Sequence, residues 1–163
     1  MTALACCIAM HAGPITKKYC SFLTENGTLY FIRPMHMPKC DDNLTKYGMT
    51  FDITYLEEDN DSVSFTVTIV TPQAESLDSV SLWTDNKQIG VKTERLYCEP
   101  YKSYYVNRIR FYVKWAQLKW LYEQASPYTV DFGRHLRFSF KPRKWAAESK
   151  TMKRIISIIE LNK

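Results

Sequence analysis

Glycine is scarce in this 163-residue sequence, with five copies, and histidine is scarcer still, with three. Set against eleven Tyr, eight Phe and four Trp, so little glycine argues against repeats and low-complexity structure and favours aromatic, half-buried sheet surfaces. No run matches a phosphate-binding loop, a dinucleotide fingerprint, a nucleophile elbow or a zinc-ligand pair. The enzyme classes that such motifs announce are therefore not indicated. A long apolar run is also missing, because the opening stretch at residues 2–10 is too short to span a bilayer.

What is present suffices for a folded core. Hydrophobic residues make up 45% of the chain and charged residues 24%, enough apolar surface to offset chain entropy in one domain of ordinary size. The net charge of +5 conceals a division. Residues 1–85 carry a balance of −6 and residues 86–163 a balance of +11. The basic half would attract phosphate, sulfate or carboxylate groups without selecting among them.

Residues 1–12 read as the end of a secretory signal peptide, shortened at its charged start, and 13–163 as a single α+β domain. On that reading the protein is periplasmic or extracellular. A lipobox-like Ala3-Leu4-Ala5-Cys6 offers a membrane tether through Cys6 as a lesser alternative. Removal of the leader leaves Cys20, Cys40 and Cys98. A Cys20–Cys40 bridge is compatible with an oxidising compartment, while buried free thiols are the plainer reading, and spacing does not decide the pairing.

Alternation of apolar and polar residues predicts the strands. Met49, Phe51, Ile53 and Tyr55 form one face, and Val63, Phe65, Val67 and Ile69 another, joined by an acidic turn into an antiparallel hairpin. An earlier strand at 29–33 is expected to stop at Pro34. A second hairpin is expected from 80–84 and 88–98, a further strand at 104–114, and a hairpin from 128–132 and 135–141. The period changes at Trp115, Leu118, Tyr122 and Ala125, which predicts a short inserted helix near 115–125. Met152, Ile155, Ile156 and Ile159 repeat at helical spacing, with Trp145 extending the stripe and Pro142 suited to a first turn. A terminal strand through Ile155 is the rival. The fold class expected is α+β: a mainly antiparallel, sandwich-like sheet with a C-terminal helix packed on it.

Four constellations carry chemistry. Cys98 with His36 or His135 has the composition of a thiol nucleophile and base, although such pairs arise often by chance. Glu57, Glu58, Asp59 and Asp61 offer oxygens to a hard cation, but the calcium-loop order is absent and a solvated hairpin turn is the better explanation. Met35, His36, Met37 and Cys40 form a soft donor set, set against a loop whose methionines fill the core. The fourth is a basic strand face. If their strands share a sheet, Arg108, Arg110, Tyr112, Lys114, His135, Arg137 and Lys141 make one positive surface, with guanidinium groups for anions and a ring for stacking. A solvated sheet face that keeps its strand soluble is the alternative.

The function expected is an exported, non-catalytic binding or accessory module at the cell envelope, with no cofactor and no metal. Its partner is expected to be an anionic glycan, a lipid headgroup or an acidic protein surface, ahead of nucleic acid. The alternatives are a small hydrolase-type enzyme using Cys98 or His135 in a pocket, and a cytosolic nucleic-acid-binding domain.

Overall fold

The computed structural model describes residues 14–38, 48–57, 61–85, 87–133 and 136–162. The expected signal segment 1–12, Cys40 and His135 therefore lie outside the described residues. A short 3-10 turn at Pro14–Lys17 precedes β1 (Tyr19–Thr24), β2 (Gly27–Met37), β3 (Met49–Leu56), β4 (Ser62–Thr71), β5 (Ser79–Thr84), β6 (Lys87–Lys92), β7 (Glu94–Tyr101) and β8 (Tyr104–Lys114). The helix α1 (Trp115–Glu123), the strands β9 (Thr129–Phe132) and β10 (Leu136–Ser139), and the helix α2 (Pro142–Leu161) complete the chain.

The strands form two antiparallel sheets, one in the order β1-β2-β3-β4-β8-β7 and the other β10-β9-β5-β6. The alternation at 49–55 and 63–69 gives the predicted hairpin, with Met49 opposite Ile69 and Tyr55 opposite Val63. One face of both these strands is buried. Met49, Phe51, Phe65, Val67 and Phe111 of the larger sheet meet Leu82 and Val130 of the smaller, and this interior has no room for a water molecule. Stacked rings line it, with centroids 5.8 Å apart for Phe51 and Phe65 and 5.0 Å for Phe65 and Phe111. Such pairs add about 0.5–1.5 kcal/mol each beyond area burial.

The two helices cover the remaining inner face beside β2. Trp115, at the start of α1, stacks on Tyr55 at 4.4 Å, and the Gln117 side chain accepts the Lys114 N–H at 2.8 Å. In α2 the buried residues are Trp145, Ser149, Met152, Ile155, Ile156 and Ile159, the helical stripe read from the sequence and not the rival strand. Lys144 near the start of α2 donates to the His36 carbonyl at 2.8 Å, and Asn162 at its end lies near Tyr30. The helix therefore runs antiparallel to β2. Trp145 stacks on Tyr122 and Phe140 and meets Tyr128 edge-on, while the two tyrosine hydroxyls lie 3.2 Å apart. Burial pushes both hydroxyls above the usual phenol range, so they remain neutral.

Three expectations about strands need correction. β2 does not stop at Pro34 but continues to Met37. Arg33 and Pro34 together oppose Asp52, because the register shifts between Ile32 and Met35. A bulge tolerates a residue without an N–H. β1 was not anticipated; it pairs back on β2 through a tight turn closed by Gly27 at φ 94°. The segment 88–98 is not one strand, because β6 ends at Lys92 and Thr93 docks on Leu77 and Asp78. β7 then joins the other sheet, pairing with β8.

Candidate binding face of the six-stranded sheet

The cations expected to share a sheet do not do so. Arg108, Arg110, Tyr112 and Lys114 belong to β8 in the larger sheet, whereas Arg137 belongs to β10 in the smaller one. Their strands bury opposite residues against a shared interior, so Arg108 and Arg137 point to opposite sides of the sandwich. Lys141 is exposed just before α2 and belongs to neither sheet. Local acids also answer the arginines. Arg137 forms two parallel hydrogen bonds with Asp131, at 2.9 and 3.0 Å. Arg108 lies 3.5 Å from Asp52 and donates to the Thr68 hydroxyl at 3.1 Å; Arg110 lies 3.9 Å from Glu94.

What β8 does assemble is an open face. Strand register sets three adjacent rows across the outer side of the larger sheet. One row runs His36, Thr50, Thr68, Arg108, Tyr97; the next Asp52, Thr66, Arg110, Glu94; the third Phe31, Thr54, Ser64, Tyr112. No described element crosses these rows. The centre is a floor of short hydroxyl side chains, and the β7–β8 side is raised by rings and guanidinium groups. Tyr112 is 46% exposed and Tyr101, at the tip of the same hairpin, 58%.

Asp52 is the unusual member, a carboxylate only 9% exposed on an outward row. Burial pushes its carboxyl above the usual range, against the opposing pull of Arg108 and then Arg110. The same carboxylate fixes Arg108 over the hydroxyl floor, so the guanidinium plane is held in place before a partner arrives.

The other constellations come apart on the pleat. Met35 and Met37 are buried on the inner face, while His36 between them is exposed on the outer face, which separates thioethers from imidazole. His36 rests over Gly48, and partial desolvation there, followed by the Lys144 charge, lowers its pKa. Cys98 is half-buried and opposes Asn107, on the inner side of β7. Four strand spacings separate β7 from β2, roughly 19 Å, so Cys98 and His36 are no catalytic pair. Cys20 is free and half-buried on β1. Of the acidic turn only Glu57 and Asp61 lie among the described residues, and no group of three metal-ligating side chains occurs among them.

The sequence reading missed two features. Tyr97 lies in a segment expected to pair in another hairpin, and Tyr101 lies beyond the strands that the sequence predicts, yet both belong to β7. The outward side of α2 was also overlooked, although Arg143, Lys150 and Arg154 follow from the same helical spacing that revealed its buried stripe. Comparison with protein-family models, with curated proteins and with solved structures finds no match to this chain.

Proposed function

We propose that this chain is a non-catalytic binding module at the cell envelope that holds an acidic protein surface on the outer face of its six-stranded sheet. The observation that carries the reading is the uncovered set of rows in which Tyr97 and Tyr112 flank Arg108 and Arg110, with Tyr101 exposed at the tip of the same hairpin. Tyrosine and arginine are the residues that dominate protein interfaces, because rigid rings and planar cations lose little entropy when desolvated. Asp52 and Glu94 offset the two cations, so a uniform polyanion meets little net field there. A protein partner that supplies both carboxylates and apolar groups fits such a mixed face better. The Arg110–Glu94 pair is long, at 3.9 Å, and exposed on both sides, so the guanidinium can exchange Glu94 for a partner's carboxylate. The signal-like pattern of residues 2–12 supports the envelope location.

The test is fluorescence anisotropy with a labelled peptide of alternating Glu and Tyr. The expected result is binding that weakens as salt is added and falls by about 30-fold in Arg108→Ala plus Arg110→Ala, the loss typical of an interface hot spot. Arg137→Ala serves as the control on the opposite side. Equal binding by the double variant and the parent protein overturns the proposal.

A further inference from the structure

We propose a second surface on the opposite side of the molecule: the outward face of α2, which docks the protein peripherally on an anionic lipid bilayer. Spacings of seven, four and seven residues put Arg143, Lys150, Arg154 and Leu161 on one meridian of the helix. That meridian lies opposite the stripe of Trp145, Met152, Ile155, Ile156 and Ile159, and all four of its residues are exposed. At 1.5 Å per residue the line from Arg143 to Leu161 is about 27 Å long. Lys153 is exposed on its flank, and Ala146 and Ala147 leave the ridge low between its cations. Arg143, Lys150, Lys153 and Arg154 form no ion pair among the described residues. The acids of α2 stand to the sides, engaged elsewhere: Glu148 lies 3.9 Å from Lys18 and Glu160 2.6 Å from Lys119. Among the described residues the ridge is thus unpaired positive charge, unlike the sheet face.

Lipid is favoured over nucleic acid by two leucines. Leu161 is 86% exposed at the end of the cationic line, and Leu23 on β1 is 88% exposed. Both belong to the same end of the molecule. Asn162 lies near Tyr30, Tyr30 pairs with Ser21, and Leu23 follows Ser21 on the same side of β1. Phosphates along a duplex offer nothing to a leucine held in water, whereas a headgroup layer takes cations at its surface and apolar tips just beneath. No helix among the described residues is long and apolar enough to cross a membrane, and the apolar stripe of α2 is already buried, so docking is peripheral. Because α2 covers the inner side of the six-stranded sheet, a docked molecule turns its tyrosine-rich face away from the bilayer.

Co-sedimentation of the full chain with vesicles tests this, using phosphatidylglycerol mixed into phosphatidylcholine against phosphatidylcholine alone. Binding is expected only to the anionic vesicles, and the triple variant Arg143→Ala, Lys150→Ala, Arg154→Ala is expected to weaken it roughly 100-fold. Leu161→Ser plus Leu23→Ser should weaken binding while leaving its salt dependence unchanged. Arg108→Ala plus Arg110→Ala should leave vesicle binding intact, which separates this surface from the peptide-binding one. All five substituted positions on α2 and β1 that face water should leave the circular dichroism spectrum unaltered. Absence of binding to anionic vesicles at low salt overturns the proposal. So does binding to a 20-base-pair DNA duplex of equal or greater strength to which the leucines are indifferent, an outcome that assigns the ridge to nucleic acid.

Discussion

Asp52 shows how one buried group can hold a binding face ready at a cost to the fold. Its native pKa is raised from 3.8 chiefly by burial. Between that value and its native pKa, the folded chain holds the proton that the unfolded chain has released. Stability from this group therefore falls as pH rises through that window and stays lower above it. Asp52→Asn is expected to be more stable than the parent at pH 7, with the advantage shrinking as pH approaches the ordinary carboxylate range; urea unfolding at both pH values measures it. Lower stability of the variant at pH 7 would mean that the Arg108 contact outweighs desolvation. Gly48 is constrained from a different direction. A Cβ there would lie 2.5 and 2.8 Å from atoms of the His36 imidazole and would also press on the Met37 carbonyl. Gly48→Ala is expected to destabilise by about 1–3 kcal/mol, as overpacking does. Adding His36→Ala should recover only part of the loss, since the imidazole can be removed and the carbonyl cannot.

At the scale of the element, α2 carries two faces with separable consequences. Ile155→Ala, which opens a void in the shared core, is expected to cost about 2–5 kcal/mol in thermal or urea unfolding, whereas Lys150→Ala on the solvent side should stay within about 0.5 kcal/mol. Both faces were legible in the sequence, since one helical period writes the stripe and its complement together. Strands β3, β4, β8, β9 and β10 were legible for the same reason at period two. What local pattern does not carry is the choice of neighbour. The segment 88–98 alternates smoothly enough to look like one strand, yet Thr93 anchors on Leu77 and Asp78 and β7 departs to the other sheet. Pro34 looked like a stop because it cannot donate to a sheet ladder, but it falls in a bulge of β2, where Arg33 and Pro34 together oppose Asp52 of β3 and no regular ladder bond is required. Arg108 and Arg137 each point outward as their alternation says. Only long-range pairing decides that outward means opposite directions for the two, and this is why a single basic face was expected and does not exist.

For the whole molecule, the arrangement has a cationic ridge on one side and an aromatic, ion-paired sheet face on the other, with a packed core between them. Charge asymmetry along the chain maps onto this division. The basic C-terminal half supplies α2 and β8, but β8 is met by acids from β3 and β7, while the outward cations of α2 meet none among the described residues. The central claim is that the outer face of the six-stranded sheet receives a protein partner. Site-specific photo-crosslinking in the native host tests it most directly, with the photoreactive residue at Tyr112 in one chain and at Trp83, on the outer side of the smaller sheet and 42% exposed, in another. The account predicts one adduct with an acidic protein from position 112, lost on Arg108→Ala plus Arg110→Ala, and none from position 83. An adduct from position 83 alone, or one from position 112 that survives the double substitution, would contradict it.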